Sequence, residues 1–188
     1  MILQYLHLLA IILLLIFLIF ISFNTIFLVY SFLSGAPFVS STKKELEKVF
    51  KIIKIRKNQI VYDLGCGDGT VLFYLIKRFQ CHGVGIDINP WLLLKAKLYS
   101  KICGFEKLVI FYKTSLTKCD FKNADVIYIY LLPKLVLKLK DKLINDTKSG
   151  SLIVSHGFKI DYIENWLLYK ITGTHHPTYI YKKPKKLV

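Results

Sequence analysis

The stretch IVYDLGCGDGT, residues Ile60–Thr70, combines an apolar run, a carboxylate and three glycines at alternate positions. The apolar run is typical of a buried strand, and the residues that follow Thr70 are apolar at helical spacing. The glycines therefore predict a strand-to-helix turn that a ligand can approach closely, because glycine has no Cβ. Free N–H groups at the start of the helix would face such a ligand.

The spacing of the glycines and the acid indicates what kind of ligand binds there. Gly65, Gly67 and Gly69 do not fit the G-x-G-x-x-G spacing of dinucleotide-binding enzymes, and Asp63 stands two residues before the first of them. A carboxylate aimed at the ligand favours a cationic or amine-bearing group over a pyrophosphate. The alternative is a glycine-rich turn without a ligand, and the coincidence of strand, acid, glycines and helix argues against it.

A second acid supports the same site. The residues Val84-Gly85-Ile86-Asp87 predict the next strand, and Asp87 ends it twenty residues after Gly67. At that separation a βαβ unit brings a carboxylate to the hydroxyls of a ribose. The alternative is that Asp87 only caps the helix after Pro90, and the glycine turn ahead of it favours the ribose role.

Strand and helix patterns alternate along the chain and predict an α/β fold. Strands are predicted at about 59–64, 82–87, 108–112, 124–130, 150–155, 167–172 and 178–181, and helices at about 69–79, 90–100 and 133–144. A capping box at Thr42–Glu45 predicts an earlier helix. The expected architecture is a doubly wound, Rossmann-like, mostly parallel sheet with an antiparallel carboxyl-terminal hairpin.

The amino-terminal segment Ile2–Leu33 is almost wholly apolar and carries no charged side chain. About 20 such residues span a bilayer core, so the segment predicts a transmembrane helix. A cleaved signal peptide is the alternative, but this run is longer than such a peptide needs and no basic residue precedes it. The expected organisation is an anchor at residues 1–34 and an α/β domain at residues 35–188. Basic residues crowd positions 43–57, so the positive-inside rule predicts a single-pass protein with its domain in the cytoplasm.

The net charge of +15 suits an anionic membrane surface or nucleic acid. Only Arg56 and Arg78 are arginines, whereas proteins that read bases or phosphates favour the guanidinium fork. Attraction to a membrane surface or a compositional bias towards lysine is therefore the preferred interpretation, and nucleic acid is not an expected partner.

The glycine turn with its acids resembles that of the class I S-adenosylmethionine-dependent methyltransferases. Together with other segments it also resembles a narrower group, the small seven-stranded lysine methyltransferases related to the mitochondrial enzyme that methylates the ATP synthase c-subunit and to broad-specificity archaeal protein-lysine methyltransferases. The segments are Ala36-Pro37-Phe38-Val39, Val61–Gly69, Asn89-Pro90-Trp91, Tyr130-Leu131-Leu132-Pro133 and Val154-Ser155-His156, and the similarity covers roughly residues 35–182.

This resemblance implies a methyltransferase domain that uses S-adenosyl-L-methionine to methylate lysine on a protein in or near the membrane. The cofactor-binding residues that it implies are Asp63, Gly65, Gly67, Asp68, Asp87 and Ser115. Tyr130 ends the fourth predicted strand, where open α/β sheets bind ligands, and its ring can hold an ammonium group. Tyr130 and His156 are the candidate catalytic residues, and Phe38, Trp91 and Tyr130 the candidate walls of the substrate site. This chemistry needs no metal, and none is expected.

The chain departs from the family pattern in two places. The linker has Ser40-Ser41-Thr42 instead of a proline-threonine-proline element, and Thr114-Ser115 replaces the usual Asp or Asn near the adenine. Ser115 can still make one hydrogen bond, so the second change concerns cofactor affinity. Core packing is the alternative for Trp91, and a capped structural role is the alternative for His156. Two other functions stay open: methylation of a lipid or small lipophilic acceptor, and a cofactor-binding, membrane-tethered module without catalysis.

Overall fold

The computed structural model describes residues 2–33, 41–173 and 175–185. The strands are β1 (Ile60–Leu64), β2 (His82–Asp87), β3 (Val109–Lys113), β4 (Val126–Ile129), β5 (Leu152–His156), β6 (Leu167–Ile171) and β7 (Thr178–Lys182). The helices are α1 (Ile2–Leu33), α2 (Lys43–Ile52), α3 (Thr70–Phe79), α4 (Pro90–Ile102), α5 (Pro133–Lys138) and α6 (Lys140–Asn145).

The seven strands form one sheet in the order β3-β2-β1-β4-β5-β7-β6. Strands β1 to β5 pair in parallel, and β7 runs antiparallel to both β5 and β6. Every predicted strand is present, and no boundary differs from its prediction by more than two residues. The predicted fold, a mostly parallel sheet with an antiparallel carboxyl-terminal hairpin, is confirmed.

The prediction of one helix at 133–144 is wrong, because the segment forms two helices, α5 and α6, that are separated at Leu139. The Leu139 N–H donates to the carbonyl of Val136, three residues back, and the Leu139 backbone has φ −93° and ψ 3°. This tighter turn buries Leu139 completely, beside Val136 and Leu143 of the same core. Two short 3₁₀ helices, Leu116–Lys118 and Asp161–Trp166, were also not predicted.

The hydrophobic core has two layers, one on each face of the sheet. Helices α2, α3 and α4 cover the first face, with buried residues such as Phe50, Leu75 and Leu93. Helices α5 and α6 cover the second face together with Phe121 and Ile163. Side chains of a strand alternate between the two faces, so central strands such as β1 and β4 contribute to both layers.

Helix α2 begins with the predicted capping box. Thr42 is the N-cap, its hydroxyl oxygen accepts a hydrogen bond from the Glu45 N–H, and the Glu45 carboxylate accepts one from the Thr42 N–H. The first turn of α2 therefore holds Glu45 in a fixed orientation, and Glu45 is buried.

Helix α1 does not contribute to either core layer, and almost all of its described side chains are exposed. Its segment Ile2–Ile26 is long and apolar enough to cross a membrane. Exposure of so many leucine, isoleucine and phenylalanine side chains to water would be unfavourable, whereas a bilayer removes that cost.

Tyr181→Phe is expected to lower the free energy of unfolding by about 1–3 kcal/mol. The Tyr181 hydroxyl oxygen accepts the Ile160 N–H at 2.7 Å inside the protein, and phenylalanine would leave that N–H without a partner. Chemical unfolding of the full chain in detergent, followed by circular dichroism, measures the change. Tyr169→Phe, at an exposed position of β6, is the control, and equal stability of the two variants would contradict the prediction.

Candidate active site

Strand β1 leads into α3 through the glycine turn. Gly65, Gly67 and Gly69 have φ values of 83°, 54° and 80°, in the left-handed region that strains residues with a side chain. The N–H groups of Gly65 and Cys66 both donate to the Ile86 carbonyl, at 2.8 and 3.1 Å, which ties the turn to β2. The turn thus lies at the carboxyl edge of the sheet, where open α/β folds bind ligands.

Asp87 ends β2 and supports this turn. Its carboxylate accepts hydrogen bonds from the N–H groups of Gly67 and Asn89, each at 2.8 Å. Burial raises the pKa of Asp87, although these hydrogen bonds act in the opposite direction. The residue that caps α4 is Asn89, whose side chain accepts the Trp91 N–H, so capping is not the role of Asp87.

Asp63 lies at the end of β1 and is almost completely buried. One of its carboxylate oxygens, Oδ2, has no hydrogen-bond partner among the described residues. Burial, together with repulsion from Asp87 and Asp68, raises the pKa of Asp63 to about 8. A buried carboxylate is unfavourable unless it meets a cation or a donor, so Asp63 is suited to the positively charged group of a ligand.

A pocket opens beside Asp87. It is lined by Gly65, Asp87, Ile88, Thr114, Ser115, Leu116 and Leu135. Its apolar side chains suit a flat aromatic base, and the polar lining residues Ser115 and Asp87 can form hydrogen bonds with a ligand. The predicted residues Gly65, Asp87 and Ser115 are therefore brought together. With the unpartnered oxygen of Asp63, these residues fit a nucleoside that carries a cationic amino-acid group, as S-adenosyl-L-methionine does.

The structure does not bring Asp68 to this pocket. The Asp68 carboxylate accepts hydrogen bonds from the Thr70 hydroxyl at 2.7 Å and from Lys95 Nζ at 2.8 Å. Burial alone would raise the pKa of Asp68, but these partners bring it below its ordinary value. Asp68 lines a second groove, beside Phe73 and Tyr99.

Asp87→Ala is expected to weaken binding of S-adenosyl-L-methionine by about 1.5–3 kcal/mol, or roughly 10- to 150-fold. The change would remove the carboxylate that we expect to accept hydrogen bonds from the ligand hydroxyls, and it removes the acceptor that holds the Gly67 N–H. Calorimetric titration of the full chain in detergent measures the affinity. Asp161→Ala removes a carboxylate that is 84% exposed and serves as the control, and similar affinities for the two variants would exclude Asp87 from the site.

A second polar cluster surrounds His156 at the end of β5. The rings of Tyr130 and His156 meet edge to face, with centroids 4.5 Å apart. His156 Nδ1 lies 2.7 Å from the Thr178 hydroxyl, whereas the buried Nε2 has no hydrogen-bond partner among the described residues. Burial lowers the pKa of His156, although Glu45 opposes this effect. His156 is therefore neutral near pH 7. In the tautomer in which Nδ1 donates to the Thr178 hydroxyl, Nε2 presents a lone pair.

Glu45 reaches this cluster from α2. Its Oε1 lies 3.9 Å from His156 Nε2, while Oε2 accepts hydrogen bonds from Thr42. Burial alone would raise the pKa of Glu45, but the Thr42 hydrogen bonds and the nearby His156 and His175 bring it below its ordinary value. The sequence pattern identifies Glu45 only as a capping residue, because its position against β5 depends on tertiary packing.

Tyr128 links the two clusters. It is the register partner of Asp63 on the neighbouring strand, and its ring stacks on His156 with centroids 6.4 Å apart. Its buried hydroxyl lies 2.9 Å from the Ser41 hydroxyl. Tyr130 directly follows β4, and its ring contacts that of His156 on the same face. Asp63 and the His156 cluster therefore share one face of the sheet at its carboxyl edge.

The sequence also predicts Trp91 and Phe38 as walls of the substrate site. Trp91 is 45% exposed and its ring meets that of Phe23 in α1, so the alternative of core packing is wrong. Phe38, with the family-like segment 36–39, lies outside the described residues.

Comparison with known proteins agrees with this geometry. The ANTKMT methyltransferase domain model matches residues 63–166. A protein-lysine N-methyltransferase of Saccharolobus islandicus is 31% identical over 69% of this chain and 81% of its own length. The human lysine N-methyltransferase of the ATP synthase c-subunit is 28% identical over 73% of this chain, but the match spans only 57% of that relative.

A solved structure supports the same assignment. It is described as an RNA methyltransferase from Salinibacter ruber in complex with S-adenosyl-L-homocysteine, and it has 27% sequence identity and a TM-score of 0.73. The match covers 80% of this chain and 97% of the Salinibacter chain. The chain belongs to the ANTKMT methyltransferase family, and it is an S-adenosylmethionine-dependent methyltransferase.

Proposed function

We propose that this enzyme is a membrane-anchored protein-lysine N-methyltransferase whose acceptor lies in or near the membrane. The observation that carries the proposal is the cluster of Glu45, Tyr130 and His156, on the same face of the sheet as Asp63. A carboxylate, an aromatic ring and an imidazole lone pair together suit a primary ammonium group.

S-adenosyl-L-methionine supplies a methyl group on a positively charged sulfur, and the nucleophile must reach the methyl carbon in line with that sulfur. Gly65, Gly67, Asp87 and Ser115 would hold the nucleoside, and Asp63 would face the cationic end. Asp68, on the second groove, would support the turn through Thr70.

The acceptor cluster would perform three tasks. The ionised Glu45 attracts the lysine ammonium group, and the Tyr130 ring stabilises it by cation–π attraction. Lysine attacks only as the neutral amine, so a proton must leave Nζ. The lone pair on His156 Nε2 can accept that proton, because burial lowers the pKa of this histidine and keeps it neutral in the resting enzyme.

The apolar helix supports the membrane part of the proposal. The segment Ile2–Ile26 would cross the bilayer, and the basic residues that follow at 43–57 would keep the catalytic domain in the cytoplasm, with the methyl donor. Two relatives are named for lysine methylation of the ATP synthase c-subunit and of the adenine nucleotide translocase, which supports a protein acceptor for this chain.

Glu45→Gln is expected to raise the KM for the protein acceptor about tenfold and to leave the Kd for S-adenosyl-L-methionine unchanged. Glutamine can still cap α2 but cannot attract the ammonium group by charge. Steady-state kinetics together with cofactor titration separate the two constants. Glu47→Gln, on the same helix, is the control. An unchanged KM in the Glu45 variant would show that Glu45 is not part of the acceptor site.

The class of acceptor is tested by incubating the full chain in membranes with radioactive methyl donor and then separating protein, lipid and RNA. We expect label in the protein fraction and its loss with Asp87→Ala. Label in extracted lipid would instead establish the second candidate, methylation of a lipophilic acceptor, which membrane anchoring also favours. Label in RNA, the class named for the Salinibacter neighbour, would overturn both candidates.

A further inference from the structure

Helix α4 carries an apolar stripe on the side that faces away from the core. The stripe comprises Trp91, Leu94, Leu98 and Ile102, which are 45%, 48%, 55% and 83% exposed. At about 100° per residue these positions lie within about 80° of one another around the helix axis. The buried residues of the helix, Leu93, Ala96 and Ser100, lie opposite. The outward side of a helix on a water-soluble domain is normally polar, so this stripe requires a partner.

The charged side chains of α4 itself are all basic, although one of them, Lys95, is paired with Asp68. Helix α4 contains three lysines, Lys95, Lys97 and Lys101, and no acidic residue, and all three lysines are exposed. A helix with an apolar stripe and lysines beside it is typical of segments that lie in the headgroup region of an anionic bilayer.

The stripe is continuous with the apolar helix α1. The ring of Trp91, at the start of α4, meets the ring of Phe23 edge to face, with centroids 6.1 Å apart. Phe23 lies near the end of the segment Ile2–Ile26 that is long enough to cross a membrane. Trp91 is therefore placed where that segment would leave the hydrocarbon, the depth at which tryptophan is enriched in membrane proteins.

We infer that the outward face of α4 docks on the headgroup region of an anionic phospholipid bilayer. This inference rests on the proposed membrane anchoring. Helix α4 starts three residues after Asp87, so docking brings the carboxyl edge of the sheet, with the cofactor pocket, next to the membrane surface. An acceptor lysine on a membrane protein would then meet the site close to the bilayer.

The test compares two proteins that each contain a single tryptophan. In one protein it lies in the stripe, and in the other it lies at a matched exposed position outside the stripe. The full chain with Trp91→Phe and Trp166→Phe receives either Leu98→Trp or Leu168→Trp, at sites of similar exposure, 55% and 48%. Both proteins are reconstituted in nanodiscs of phosphatidylcholine with about one quarter phosphatidylglycerol, with and without lipid brominated near the headgroup. Quenching by the brominated lipid reports contact with the bilayer.

We expect brominated lipid to lower the fluorescence of the indole introduced at position 98 about twofold and to leave that at position 168 unchanged. Equal quenching at the two positions would overturn the inference. Protection of the position-98 indole from aqueous iodide without quenching by lipid would also overturn it, because a protein or a second copy would then cover the stripe. Protein-lysine methylation is measured separately, on the parent chain in membranes that contain acceptor proteins, so its absence would count against the proposed function without changing the docking result.

Discussion

Asp63→Asn is expected to lower the affinity for S-adenosyl-L-methionine by at least about 100-fold, because a cation that enters this buried site loses its charged partner. The side chain is buried and its Oδ2 has no partner among the described residues, so water cannot compensate for the change. Asparagine has nearly the same shape, and the loss would therefore reflect charge. Calorimetric titration of the full chain in detergent measures the affinity.

Asp63→Asn should at the same time stabilise the ligand-free protein at high pH. The pKa of Asp63 is about 8 in the folded protein and about 4 in an unfolded chain. The folded state therefore binds the proton more tightly, and this contribution to the free energy of unfolding is complete below about pH 4 and lost as the pH rises towards 8. The variant cannot ionise, so its stability should exceed that of the parent by a few kcal/mol near pH 8 and approach it near pH 4.

The same pKa predicts that cofactor binding near pH 7 releases up to about one proton, because a bound cation favours the carboxylate form of Asp63. Calorimetry in two buffers of different ionisation enthalpy measures this release. Asp120→Asn, at an exposed carboxylate, should behave like the parent. Parent-like affinity in Asp63→Asn would show that Asp63 does not face the cofactor's positive charge.

Tyr130→Ala is expected to lower kcat/KM for lysine methylation by one to two powers of ten, or roughly 1.4–2.8 kcal/mol. The change removes the aromatic face for the ammonium group and the ring that packs edge to face on His156. Tyr130→Phe keeps both and should retain most of the rate. Initial rates of label incorporation into the membrane protein fraction provide the comparison.

Two controls make the Tyr130 result specific. Tyr169→Ala removes an exposed tyrosine of β6 and should leave the rate unchanged. Cofactor affinity should stay near that of the parent in every Tyr130 variant, since the ring is assigned to the acceptor side. A Tyr130→Ala enzyme that methylates protein at the parental rate would show that the acceptor site lies elsewhere.

The cofactor side of the site could be predicted because its signals are local. The strand, the acid, the three glycines and the helix occupy one stretch of chain, and Asp87 follows at the separation that a βαβ unit imposes. The parallel strands with their alternating helices could be predicted for the same reason. The break at Leu139 could not, because it depends on how that side chain packs against the second core layer.

The acceptor side could be predicted only in part. Tyr130 directly follows β4 and His156 ends the neighbouring strand β5, so the sheet order brings them together. Glu45 and Thr178 come from α2 and the antiparallel strand β7, and no sequence pattern indicates that these elements meet at His156. Asp68 belongs to the glycine turn, which suggests a role in cofactor binding, yet its side chain contacts Lys95 and lines the second groove.

The most direct test of the proposed function identifies the atom that receives the methyl group. The full chain in membranes is incubated with labelled methyl donor, the labelled protein is hydrolysed to amino acids, and the products are separated. We expect the label in Nζ-methylated lysine, at a level that falls with both Glu45→Gln and Tyr130→Ala. Recovery of the label in another amino acid, or in lipid with none in lysine, would contradict the assignment of this enzyme as a protein-lysine methyltransferase.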